Sequence, residues 1–111
     1  MAKAYIPKRG DIIWTDFDPS AGTEQAKKRP AIVLSPEPFN KQVKLALVAP
    51  ISSRVRGHGF EVALENTKTG GVILCQQVKT IDYECRGIQF IESAPAPLLQ
   101  DVLAKVRILV S

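Results

Sequence analysis

Residues 10–35, GDIIWTDFDPSAGTEQAKKRPAIVLS, decide how this chain folds. After Gly10, the run Asp11–Asp18 alternates Ile13, Thr15 and Phe17 with Ile12, Trp14 and Asp16, which is the two-residue period of a strand. Asp18-Pro19-Ser20 closes it, because proline fixes φ and aspartate readily caps a turn. Residues 19–30 then read as a polar loop around Gly22, and Ala31–Ser35 as a short buried strand. The loop is long for a hairpin. Long ordered loops in compact domains are usually functional, which makes residues 19–30 the first place to look for chemistry.

Working outward, Pro36-Glu37-Pro38-Phe39-Asn40 predicts one helical turn before a third strand, Lys44–Ala49, ended by Pro50. Ser52–Gly59 is a second loop, basic and glycine-containing, and Phe60, Val62 and Leu64 alternate with Glu61 and Ala63 in a fourth strand. Thr69-Gly70-Gly71 makes a turn into the longest predicted strand, Val72–Asp82, followed by a last one at about Gly87–Glu92. Some six short strands at this spacing predict a mainly β barrel or sandwich, in a single domain over residues 1–111 without internal repeats. Ser93-Ala94-Pro95-Ala96-Pro97 predicts a C-terminal helix, with Ser93 as its cap and proline in the first turn. Leu98, Leu99, Val102, Leu103, Val106, Leu109 and Val110 then form one apolar face, wide enough to dock on the sheet and on a second subunit.

Composition narrows the function. With 15 Lys and Arg against 11 Asp and Glu, the chain carries a net charge of +4, which favours a polyanionic partner. The positive charge gathers in Lys8-Arg9, Lys27-Lys28-Arg29, Lys41 with Lys44, and Arg54 with Arg56, mostly at predicted loops. No apolar run approaches the roughly 20 residues that cross a bilayer, and the N-terminus lacks the apolar stretch of a secretory signal, so a cytoplasmic protein without membrane contact is expected. Cys75 and Cys85 are the only cysteines; both are expected to be buried thiols, with no metal site and no cofactor.

Phosphate-binding, dinucleotide-binding, nucleophile-elbow and zinc-protease signatures are all absent. His58 is the only histidine and reads as an exposed loop residue beside Gly57 and Gly59, which excludes a two-histidine nuclease mechanism. The constellation that remains is Glu24-Gln25-Ala26-Lys27-Lys28-Arg29-Pro30. Pro30 disfavours the helical region for Arg29 and holds it at the extended start of the second strand, where a planar guanidinium can bind two phosphate oxygens at once. Spacing alone favours a simple salt bridge between Glu24 and Arg29.

Beyond that spacing, the chain resembles the MazF/PemK toxin family. The likeness is carried by Gly10-Asp11-Ile12-Ile13-Trp14, Phe17-Asp18-Pro19-Ser20-Ala21-Gly22-Thr23-Glu24-Gln25, Arg29-Pro30-Ala31-Ile32-Val33-Leu34-Ser35, Asn40, Val48-Ala49-Pro50-Ile51-Ser52 and Gln77-Val78-Lys79-Thr80-Ile81-Asp82, in family order along essentially the whole chain. The resemblance implies an SH3-like barrel of about six antiparallel strands with a C-terminal α-helix. It further implies a homodimer, an acidic MazE-like antitoxin partner, and metal-independent cleavage of single-stranded RNA. By the same resemblance Glu24, Arg29 and Ser52 are the catalytic candidates, Ser52 standing where relatives commonly carry threonine. Thr23, Gln25, Lys27, Lys28, Arg54, Arg56, Gln76, Gln77 and Lys79 are the candidate RNA contacts, and Gln76 departs from the acidic residue of several relatives. Two other readings stay open at this point. One is a non-catalytic SH3-like module that binds RNA or peptide, since fold alone decides no function. The other is a CcdB-like gyrase poison, which the C-terminus Leu109-Val110-Ser111 disfavours because that action is associated with a Trp-Gly-Ile end.

Overall fold

The computed structural model describes residues 5–16, 28–54, 57 and 59–111. Among these described residues, seven strands form one antiparallel sheet: β1 (Asp11–Asp16), β2 (Lys28–Val33), β3 (Ala46–Ser52), β4 (Glu61–Ala63), β5 (Val72–Leu74), β6 (Lys79–Ile81) and β7 (Gln89–Ser93). The helices described with them are α1 (Glu37–Val43), α2 (Tyr83–Arg86) and α3 (Ala96–Val110). The strands run in the order β4-β5-β3-β2-β1-β7, with β6 also paired to β3. Among the described residues β4 and β7 end this path without pairing to each other, which leaves an open seam in the barrel.

The sheet is buried on both faces. Ile12 and Ile13, adjacent on β1, are both 0% exposed and belong to different cores. Ile12 packs with Ile32, Ala49, Ile51 and Ile73 under Leu98, Val102 and Val106 of α3. Burying each of these helix side chains stabilises by roughly 1.5–3 kcal/mol, and Ile108, Leu109 and Val110 beyond them stay exposed. Ile13 joins Ala31, Val33, Val48 and Ile81 around Tyr83 of α2 on the other face.

The predicted strand Val72–Asp82 is divided, raising the expected six strands to seven. Both halves pair with β3, but in different registers. Ile73 lies opposite Ile51, and continuing that ladder would set Gln77 opposite Leu47; Thr80, three residues further on, is found there instead. A 3-10 turn over Cys75–Gln77 takes up those three residues. Strand β3 correspondingly runs through Pro50 rather than stopping at it, because Pro50 lies between the β6 pairing at Ala46–Val48 and the β5 pairing at Ile51–Ser52, where the ladder on that side is already interrupted. The expected turn at Pro36–Asn40 extends to Val43 and ends at Lys44, whose left-handed φ of 68° closes the helix and delays β3 to Ala46. Helix α3 starts at Ala96 behind Pro95 rather than being capped by Ser93, which is held in β7 opposite Asp11.

Cys75 is buried as expected, and burial pushes its thiol up to about 11, well away from thiolate at neutral pH. Cys85 is exposed on α2, contrary to expectation. It occupies a four-residue helix between the two strands expected there, in which the Asp82 carboxylate accepts from the Cys85 amide and Gly87 provides the left-handed exit at φ 62°.

One buried polar residue ties the elements together. Asn40 is 0% exposed; its Nδ2 donates to the Pro7 and Ser35 carbonyls at 2.8 and 3.0 Å, its Oδ1 accepts from the Ser35 hydroxyl at 2.5 Å, and its backbone carbonyl accepts from the Tyr83 hydroxyl at 2.7 Å. Replacing Asn40 by alanine is expected to cost about 2–4 kcal/mol in urea unfolding, because three buried groups lose their partner. Asp101→Asn, which breaks the exposed pair with Lys105, should change stability by less than about 0.5 kcal/mol.

Candidate active site

Arg29 sits inside β2, opposite Thr15 of β1, in the extended conformation that Pro30 imposes. Strand β2 begins at Lys28, earlier than the apolar run beginning at Ala31 suggests, because β1 continues to Asp16 and pairs with it. Ser52 is the last residue of β3 and is half-buried. Its hydroxyl accepts from the Arg54 amide at 3.0 Å, a local turn that brings Arg54 back beside the strand end. Arg29, Pro30, Ile51, Ser52, Ser53, Arg54 and Gly70 line a cleft of about 510 Å³. Two arginines and two serines line it, with no carboxylate among the described lining residues, a set of side chains suited to an anion.

Beside the cleft two backbones approach closely. Gly71 has a φ of +112°, and a Cβ on it would lie 2.4 Å from the Ser52 carbonyl oxygen. The neighbouring Val72 pairs with Ser52, which explains why the two backbones are pressed together here. Gly71 was legible only as part of a turn, because its contact partner lies on another strand.

The sequence candidates divide into three groups. Arg29, Ser52 and Arg54 come together in the cleft, and Lys28 is exposed one residue along β2. Gln76 and Gln77 lie on the 3-10 turn and Lys79 on β6; all are exposed and none lines the cleft. Thr23, Glu24, Gln25, Lys27 and Arg56 lie outside the described residues, as does His58. Ser53 and Gly70 are lining residues that were not among the sequence candidates, since their relevance comes only from where the strands end. Among the described residues there is no group of three or more His, Cys, Asp or Glu side chains that could hold a metal ion.

Residues 8–110 match the family described as PemK-like, MazF-like toxin of type II toxin-antitoxin system. The chain belongs to this family. It is 40% identical over 110 residues to the endoribonuclease toxin MazF of Escherichia coli strain K12, covering 99% of each chain. Its fold matches the crystal structure of MazF from Deinococcus radiodurans with a TM-score of 0.86 and 36% identity, over 96% of this chain and 98% of that one. A MazE-MazF structure from the same organism matches with a TM-score of 0.87 and 34% identity, over 96% and 97% of the two chains. The fold expectation of a mainly β domain with a C-terminal helix agrees with these structures.

Gly71→Ala tests the close approach. The substitution should destabilise the protein by about 2–3 kcal/mol in thermal unfolding and displace Ser52. RNA cleavage measured below the variant's melting range should fall with it.

Proposed function

We propose that the cleft of Arg29, Ser52 and Arg54 is where this toxin-family endoribonuclease cuts single-stranded RNA. The observation that carries the reading is the cleft itself, two arginines and a strand-end serine without a carboxylate among the described lining residues, in a chain 40% identical to an endoribonuclease toxin over 99% of its length.

The RNA supplies its own nucleophile. The ribose 2′-OH attacks the adjacent phosphorus, a new bond forms between phosphorus and the 2′ oxygen, and the bond to the 5′ oxygen breaks. The products are a 2′,3′-cyclic phosphate and a 5′-OH end. Glu24 takes the proton from the 2′-OH; at a reference pKa of ~4.3 a glutamate is ionised at neutral pH, and positioned proton transfer contributes roughly 10²- to 10⁴-fold. Arg29 balances the charge that grows on the phosphoryl oxygens and delivers a proton to the departing 5′ oxygen. The Ser52 hydroxyl adds a hydrogen bond to the same oxygens. Thr23, Gln25, Lys27, Lys28, Arg54 and Arg56 track the backbone around the scissile step, and Gln76, Gln77 and Lys79 contact bases farther along the strand.

The working form in this reading is a cytoplasmic homodimer. An apolar groove of about 450 Å³ lined by Leu34, Phe39, Leu47, Leu103 and Val106, together with exposed Ile108, Leu109 and Val110, supports association of two copies. Among the described residues no helix is long and apolar enough to cross a membrane. The antitoxin is an acidic protein whose charged segment lies over the basic loops, a partnership supported by the MazE-MazF structures of relatives.

The test is cleavage of a long single-stranded RNA in EDTA, with the product ends mapped. Wild type should give discrete cuts ending in 2′,3′-cyclic phosphate, and a 2′-deoxy substitution at the scissile nucleotide should abolish the cut there. Glu24→Ala and Arg29→Ala should lower kcat by roughly 10³-fold or more and Ser52→Ala by roughly 10²-fold. Full activity in Arg29→Ala would sink the mechanism. Arg54→Ala should weaken RNA binding and reduce the slope of log affinity against log salt by about 0.7, one phosphate contact on a single strand.

A further inference from the structure

The Glu92 carboxylate, on the edge strand β7, reaches across the open seam to the turn between β4 and β5. Oε1 accepts from the Lys68 amide at 3.0 Å, and Oε2 accepts from both the amide and the hydroxyl of Thr69 at 2.8 Å. The turn is tightened by its own bond from the Thr67 hydroxyl to the Thr69 carbonyl at 2.7 Å. Strands β4 and β7 are the two ends of the sheet, and this one side chain links the last strand to the hairpin made by the first. The residues that follow the clamped turn are Gly70, which lines the cleft, and Gly71, which is pressed against the Ser52 carbonyl.

We infer that Glu92 is a positioning residue for RNA cleavage: by holding the 67–69 turn across the seam it fixes Gly70 and Gly71, and through them the Ser52 end of β3. Covalent geometry makes the linkage short. Thr69 is bonded to Gly70, Gly70 to Gly71, and a shift of Gly71 toward β3 meets the Ser52 carbonyl with no room to spare. Desolvation is the largest single influence and pushes the Glu92 carboxyl up, but the donors from Lys68 and Thr69 together outweigh it and hold the group below the ordinary glutamate range, as an anion at neutral pH. A glutamine cannot replace it, because its amide end would place a donor against the donors of Lys68 or Thr69. Glu92 is half-buried, and its carboxylate takes three donors, each within 3.0 Å.

The inference rests on Ser52 taking part in the chemistry, and the experiment separates the two. A single-stranded RNA oligonucleotide carrying a cleavage sequence mapped with wild type is the substrate for Ser52→Ala, Glu92→Gln and the double variant, with folding verified by thermal unfolding. Glu92→Gln should lower kcat about tenfold while KM stays within about twofold, since misplacement by an ångström acts on the reaction rather than on binding. In the Ser52→Ala background the same change should cost less than about twofold more, because the two effects share one route. Hydrogen exchange at the Lys68 and Thr69 amides should accelerate in Glu92→Gln. Thr69→Val removes only the hydroxyl bond and should give a smaller loss of kcat in the same direction, which keeps the test open if Glu92→Gln folds poorly. If Ser52→Ala is impaired but Glu92→Gln cuts as wild type, or if the two losses multiply in full, Glu92 does not act through Ser52 and the inference is overturned with the cleft chemistry intact. If Ser52→Ala keeps full activity, the catalytic reading of Ser52 fails and the positioning role falls with it.

Discussion

Strand β3 is the constraint on which the rest depends. It pairs with β2 along one side and with both β5 and β6 along the other, and its residues enter both cores, Ala49 and Ile51 on the α3 face and Ala46 and Val48 on the α2 face. A strand buried on both faces cannot slip by one residue without exchanging every side chain between two differently shaped interiors. The register of β3 therefore determines where β2 ends, where β5 ends, and which residues stand at the rim where those ends meet. Arg29 and Ser52 lie at that rim, each near the limit of a ladder that apolar packing has fixed.

Such a rim suits phosphoryl chemistry, in which the protein contributes position and charge. Arg29 is held extended by Pro30 and cross-strand pairing, and Ser52 by the backbone approach of Gly71. In the proposed mechanism both groups are borne on the scaffold itself, and basic side chains around them gather a flexible strand of RNA. The net charge of +4 serves the same end at longer range.

Much of the architecture could be read from the chain, and the exceptions share one cause. The strand at Asp11–Asp16 and the helical stripe from Leu98 to Val106 showed directly, the strand because successive residues point to opposite faces and the helix because it buries one stripe, both periods being local. The 72–82 stretch did not, because no glycine or proline marks the break within it and the three-residue slip against β3 arises from pairing with a distant strand. Tyr83–Arg86 was missed for a related reason, since a single helical turn has too few residues to show a period. At the site, Arg29, Ser52 and Arg54 were legible as residue types in a recognisable pattern, whereas Gly71 and Glu92 act through contacts 19 and 23 residues or more away in sequence and carry no local signal.

The sequence by itself determined the fold class, the family and the chemical vocabulary of the site, because hydrophobic period, turn residues and motif order are properties of neighbouring residues. Only the tertiary structure decided which of those residues meet. The register slip, the cleft shared by strand ends from β2 and β3, and the carboxylate bridging the open seam all depend on distances between segments far apart in the chain, and those distances exist only once two cores have packed against one sheet.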